Sequence, residues 1–159
     1  MGNTDGTGAA ARFQAPWGMA SDGAGNLFVA DSQNHTIRKV VVATGEGSTF
    51  AGSPGQAGSS DGMGTAARFS NPKGIASDGA GNLFVVDTGD SSHFGNNTIR
   101  KVVIGTRVVT TVVGSPDRMG VVLGPLPAGL GNPWGLALGP GGELLIADIA
   151  ENAILAAQF

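Results

Sequence analysis

The chain has 159 residues, among them 28 glycines, 8 prolines and no cysteine or tyrosine, which excludes a disulfide-stapled scaffold and a cysteine-ligated metal site. Charged residues make up 13% of it, about half the ~25% of an ordinary soluble domain, so long solvated helices and charged disordered tails are not expected. The formal net charge of −3 removes the basic footprint of general nucleic-acid binding.

No apolar stretch approaches the ~20 residues that cross a bilayer, and Met1 is not followed by the basic and apolar regions of an export signal. A soluble chain with neither a membrane nor a nucleic-acid partner is expected. Localisation is left open by the residues themselves.

In chain order, residues 1–15 read as a glycine-rich loop. Within it Ala9-Ala10-Ala11-Arg12-Phe13 is long enough for one helical turn, too short to propagate, with Phe13 pinning the loop to a core. Residues 18–21 and 27–30 are short apolar runs flanking the turn Asp22-Gly23-Ala24-Gly25-Asn26, which predicts a β-hairpin. Asp31 to Asn34 supplies the next turn, 36–42 is β-branched and predicts a third strand, and 48–51 a fourth.

The pattern then starts again. Pro16-Trp17-Gly18-Met19-Ala20-Ser21-Asp22-Gly23 recurs as Pro72-Lys73-Gly74-Ile75-Ala76-Ser77-Asp78-Gly79 and, more loosely, as Pro133-Trp134-Gly135-Leu136-Ala137. Asn34-His35-Thr36-Ile37-Arg38-Lys39 likewise recurs as Asn96-Asn97-Thr98-Ile99-Arg100-Lys101 and as Glu151-Asn152-Ala153-Ile154-Leu155. The second unit carries an insertion around Gly89-Asp90-Ser91-Ser92-His93-Phe94, and its fourth strand is expected at 107–113. Self-similarity at this spacing, in units of four antiparallel strands, predicts an all-β fold of β-propeller blades. Blade 1 is placed at 16–52, blade 2 at 72–114 and blade 3 at 133–159, the last without its outer strand; 1–15, 53–71 and 115–132 are long glycine-rich inter-blade loops.

The Pro-x-Gly-Met/Ile-Ala-Ser-Asp, Gly-Asn-Leu-Phe-Val and Asn-x-Thr-Ile-Arg-Lys order resembles the NHL repeat. The preceding Asp-Gly-x-Gly-Thr-Ala-Ala-Arg-Phe at 61–69 is similar to the longer variety of that repeat found in bacterial exported multidomain proteins. The resemblance implies a propeller, commonly six-bladed, acting as a binding platform, and an exported or extracellular parent protein. Closed rings take about four to eight blades, so three per chain leave two bare flanks. A second copy of the chain related by a twofold axis is expected to cover them, closing a six-bladed ring by homodimerisation.

Strand alternation puts the variable connections on one face, and there Trp17, Lys73 and Trp134 occupy the equivalent position after the proline. Two indoles and an ammonium suit a flat ligand, a sugar or a peptide, against the alternative that the indoles pack on neighbouring blades. Asp90, His93 and Phe94 form a further patch in the insertion, with a solvated loop tip as the competing account. Asp31, Asp87 and Asp148 recur at the end of the second strand and are weak candidates for a hard cation; accepting backbone amides two residues on is the better explanation. Arg38 and Arg100 are expected to pair across blades. His35 corresponds to Asn97 and Asn152 and reads as turn support.

The expected function is a non-enzymatic interaction scaffold for a protein or glycan ligand, without a cofactor. The alternatives are a self-assembling half-propeller with no ligand of its own and a metal-dependent propeller lyase or hydrolase.

Overall fold

The computed structural model describes residues 1–89, 95–116, 118, 120–122, 124 and 128–158. Among them the chain is all-β and forms three antiparallel sheets. The first contains β1 (Gly6–Thr7), β2 (Pro16–Ser21), β3 (Asn26–Asp31), β4 (Thr36–Val41) and β5 (Glu46–Gly52), in the order β1-β5-β4-β3-β2. The second repeats it with β6 (Gly62–Met63), β7 (Pro72–Ser77), β8 (Asn82–Asp87), β9 (Thr98–Val103) and β10 (Val108–Val113), in the order β6-β10-β9-β8-β7. The third has β11 (Pro133–Leu138), β12 (Leu144–Asp148) and β13 (Ala153–Ala157).

Local chemistry explains the hairpins. In the β2–β3 turn, Asp22 Oδ1 accepts the backbone N–H groups of Ala24 at 2.8 Å and Asn26 at 3.0 Å, and Asp78 repeats this with Ala80 at 2.8 Å and Asn82 at 2.9 Å. These bonds, with the Asn26 and Asn82 side chains, hold both carboxyls below the usual carboxylate range. After the second strand of each unit, His35, Asn97 and Asn152 have φ of 58°, 47° and 50°. His and Asn tolerate this left-handed conformation better than most residues, so one amide or imidazole position recurs as a turn device.

The loops, each expected to hold a single turn, do hold one and add a short strand that was not expected. Residues 1–15 and 53–71 each contain a two-residue strand and a single 3-10 turn, Gly8–Ala10 and Gly64–Ala66. Gly6 pairs with Gly47 and Gly62 with Val109, so each segment clasps the outermost strand of the unit that follows it.

An arginine locks each clasp. Arg38 is fully buried; its Nη2 donates to Asp5 Oδ1 at 2.7 Å and its Nη1 to Asp31 Oδ2 at 3.3 Å and to the Arg12 carbonyl at 2.8 Å. Arg100 does the same with Asp61 at 2.8 Å, Asp87 at 2.9 Å and the Arg68 carbonyl at 2.8 Å. Phe13 and Phe69 cover the guanidinium planes at 4.9 and 5.2 Å. Both arginines therefore pair within their own blade, not across blades. A guanidinium on the third strand reaches the adjacent second strand and the clasp more directly than it reaches the next sheet.

The sheets stack through apolar cores. β8 is buried on both faces: Leu83 and Val85 join Phe28, Ala30, Ile37 and Phe69 against the first sheet, while Phe84 and Val86 join Ile99, Leu144 and Ile146 against the third. A continuous apolar run is what a strand covered on both sides requires. The inner strands β2, β7 and β11 lie next to one another. Their glycines set the spacing: a Cβ on Gly18 would lie 2.5 Å from the Lys73 carbonyl, and one on Gly74 would lie 2.8 Å from that of Trp134.

Two outcomes follow. Gly74→Ala should lose roughly 1–3 kcal/mol in urea unfolding, because backbone cannot yield to a methyl group as a flexible side chain does. Arg100→Met should lose about 3–5 kcal/mol near pH 7, since it strands a buried carboxylate. Burial already pushes the Asp87 carboxyl up to about 6 against the pull of Arg100, and removing the arginine raises it further. The loss should therefore shrink as the pH falls to about 5, where protonation removes the stranded charge.

Candidate ligand-binding corner

The bulge that follows Pro16, Pro72 and Pro133 in the pairing of each innermost strand re-aims the next residue, and in all three units that residue is the expected site position. The close inter-strand approach at Gly18 and Gly74 then draws the three side chains together. Trp17 and Trp134 meet edge to face, with ring centroids 5.4 Å apart and planes at 82°. The Lys73 ammonium lies 3.2 Å from the Trp134 centroid and 5.3 Å from that of Trp17.

The cluster faces solvent. Trp17 is 55% exposed and Trp134 37%, values at odds with indoles packed into an inter-blade core. Trp134 Nε1 donates to Asn132 Oδ1 at 3.0 Å, which fixes that ring and uses its polar edge. Partial burial beneath the indoles lowers the Lys73 ammonium from its ordinary value. Among the described residues no carboxylate pairs with it.

The recurring aspartates are committed elsewhere. Asp31 Oδ1 accepts the Gln14 amide at 2.7 Å and Asp87 Oδ1 that of Ser70 at 2.7 Å, while their Oδ2 atoms take Arg38 and Arg100. Those amides precede the inner strand in sequence, so the expected amide two residues on is not the partner. Asp148 has no arginine; it accepts Gly131 at 2.7 Å, Asn132 at 2.9 Å and, two residues on, Ala150 at 3.1 Å. Among the described residues no three acidic or histidine side chains converge on a point that could hold a metal. Asp90, His93 and Phe94 lie outside the described residues. His35 Nδ1 accepts the Asn71 amide at 3.2 Å, in keeping with its turn position.

One further feature of the structure was not anticipated from the sequence. A cleft of about 200 Å³ lies beside β13, with Val122, Leu130, Leu155 and Ala157 in its wall. Leu155 stands where the other units have Arg38 and Arg100, and its replacement of a charge by an alkyl group was the available clue.

Comparison with known proteins agrees with this architecture. Residues 13–40 match the NHL repeat model. The human NHL repeat-containing protein 2 is 33% identical over 136 residues, which are 80% of this chain and 18% of that protein. The chain thus spans less than a fifth of that relative's length. A solved structure from Bacteroides thetaiotaomicron, of a protein of unknown function, superposes with a TM-score of 0.71 at 30% identity, covering 81% of this chain and 31% of the other. An auxiliary nutrient binding protein from Bacteroides ovatus gives 0.65 at 23% identity, covering 84% and 35%. With the repeated units, the inter-blade glycines and these likenesses together, the chain belongs to the NHL-repeat β-propeller family.

Proposed function

We propose that the chain is a non-enzymatic binding scaffold whose Trp17, Lys73 and Trp134 corner receives a protein or glycan ligand. The observation that carries this reading is the convergence on solvent of side chains from three separate sheets. Scaffold positions elsewhere in the repeat are spent on turns, clasps and cores, whereas these two indoles remain 55% and 37% exposed beside an ammonium. The same architecture serves a nutrient binding protein in Bacteroides ovatus, which supports a binding role in general terms.

Trp17→Ala with Trp134→Ala should weaken binding of the best peptide or glycan from a panel by more than tenfold, because stacking on each indole is worth on the order of 1 kcal/mol or more. Calorimetry on the folded double variant measures it, and an unchanged affinity would reject the corner.

The second part of the proposal is that another copy of the chain completes a six-bladed ring. Ile154 is 69% exposed on the free face of the third sheet, while its equivalents Ile37 and Ile99 are 0% exposed between sheets. On the opposite flank Met19 is 63% exposed, while its equivalent Ile75 is 6%. Gly135 repeats Gly18 and Gly74, yet a Cβ there would meet only the Ala147 methyl group at 3.3 Å. The third-sheet flank thus carries the isoleucine and the glycine of an inter-blade contact and the first-sheet flank the apolar residue that faces them in the other units, so joining the two flanks head to tail reuses that contact.

Light scattering should give twice the chain mass. Ile154→Asp should return it to the mass of one chain, and Gly135→Ala should weaken association while costing a single chain less stability than Gly74→Ala, since its added methyl group meets a methyl group at 3.3 Å and no backbone. A monomer at all concentrations would rule out the ring.

A further inference from the structure

Among the described residues the Lys73 ammonium meets no hydrogen-bond acceptor. It has three N–H donors, and the contacts around it are the faces of two indoles. An aromatic face attracts a cation electrostatically but accepts hydrogen bonds poorly, and the indoles displace part of the water that would otherwise solvate the charge. A cation held this way gains most from an anion that arrives with the ligand and brings oxygen acceptors to it. The chain has an excess of acidic residues, with a net charge of −3, yet among the described residues none is placed against this ammonium.

The walls set the shape of what arrives. The two indole planes stand at 82° with centroids 5.4 Å apart, so they form a corner with flat sides. The negative face of an indole complements the C–H groups on the flat side of a pyranose ring, whose hydrogens carry partial positive charge. A bound peptide would instead ask for separate pockets for alternate side chains.

We propose that this corner binds an oligosaccharide of uronic acids, a pyranose ring stacked on Trp17, the more exposed indole, and a ring carboxylate paired with Lys73, whose ammonium covers one face of Trp134. This rests on the binding-scaffold reading and narrows its ligand to an acidic sugar. Specificity for the acid over a neutral sugar falls to Lys73, affinity for the ring falls to Trp17, and Trp134 holds the ammonium in place. The ion pair forms beside low-dielectric indole surface, where it is stronger than in open water. It is lost when the ammonium deprotonates, so affinity for the acid should fall as pH rises through the lowered value of Lys73.

The test is calorimetric titration of the whole chain with tri-galacturonate, its fully methyl-esterified form and a hexaglutamate peptide. Tri-galacturonate should bind at least about tenfold tighter than the ester at low salt, and raising the salt should narrow the gap. Lys73→Met, checked for folding by circular dichroism, should bind acid and ester equally; Trp17→Ala should weaken both. Equal affinities of acid and ester for the unmodified chain would overturn the proposal, as would hexaglutamate binding as tightly as the sugar acid or the absence of binding to all three. If ester or peptide binding still depended on Trp17 and Trp134, the scaffold reading would survive and only the acidic-sugar assignment would fall.

Discussion

Backbone contact between neighbouring inner strands is the constraint on which the rest depends. At Gly18 and Gly74 the main chain of one blade comes so close to a carbonyl of the next that no side chain fits between them. That proximity fixes the spacing of β2, β7 and β11, lets Phe28 and Leu83 share one core and Phe84 and Leu144 another, and gathers three residues from distant parts of the sequence into one corner. A wider spacing would separate the indoles and open the cores at once. Fold and site are consequences of the same missing methyl groups.

The rim of each blade obeys different physics. Arg38 and Arg100 are buried charges, tolerable because each meets two carboxylates and two carbonyls, and because Asp5 and Asp61 keep one of those carboxylates half in water. In the third unit the trio is exchanged as a set: Leu155 replaces the arginine, Leu130 stands where Phe13 and Phe69 stand, and Val122 lies where the spacing would put the clasp aspartate. Exchanging a buried ion pair wholesale for alkyl groups is often neutral or favourable, whereas losing one member is not. Asp148 accepts three backbone amides where Asp31 and Asp87 each accept one together with a guanidinium.

Much of this was legible in the sequence. The hairpins follow from Asp22 and Asp78 beside glycine, the inter-blade cores from runs such as Leu83 to Val86, and the three-residue corner from the shared position of Trp17, Lys73 and Trp134 after a proline. The clasps were not legible, because two residues of strand built around Gly6 or Gly62 have no periodicity to detect, and Asp5 and Asp61 read as turn formers among glycines. The direction of the Arg38 and Arg100 side chains was equally hidden. Strand pattern says which face a residue occupies but not which of two nearby carboxylates a long side chain will choose.

The clasp has a bearing on how such a chain can grow. Because Gly6 pairs with Gly47 and Gly62 with Val109, each of the first two units fastens its own rim with a segment that immediately precedes it. Neither of these two fastenings joins one unit to another. Duplicating or deleting one whole unit in the gene would leave every remaining fastening intact, so blade number could change in evolution by a single recombination event without any rim having to be rebuilt.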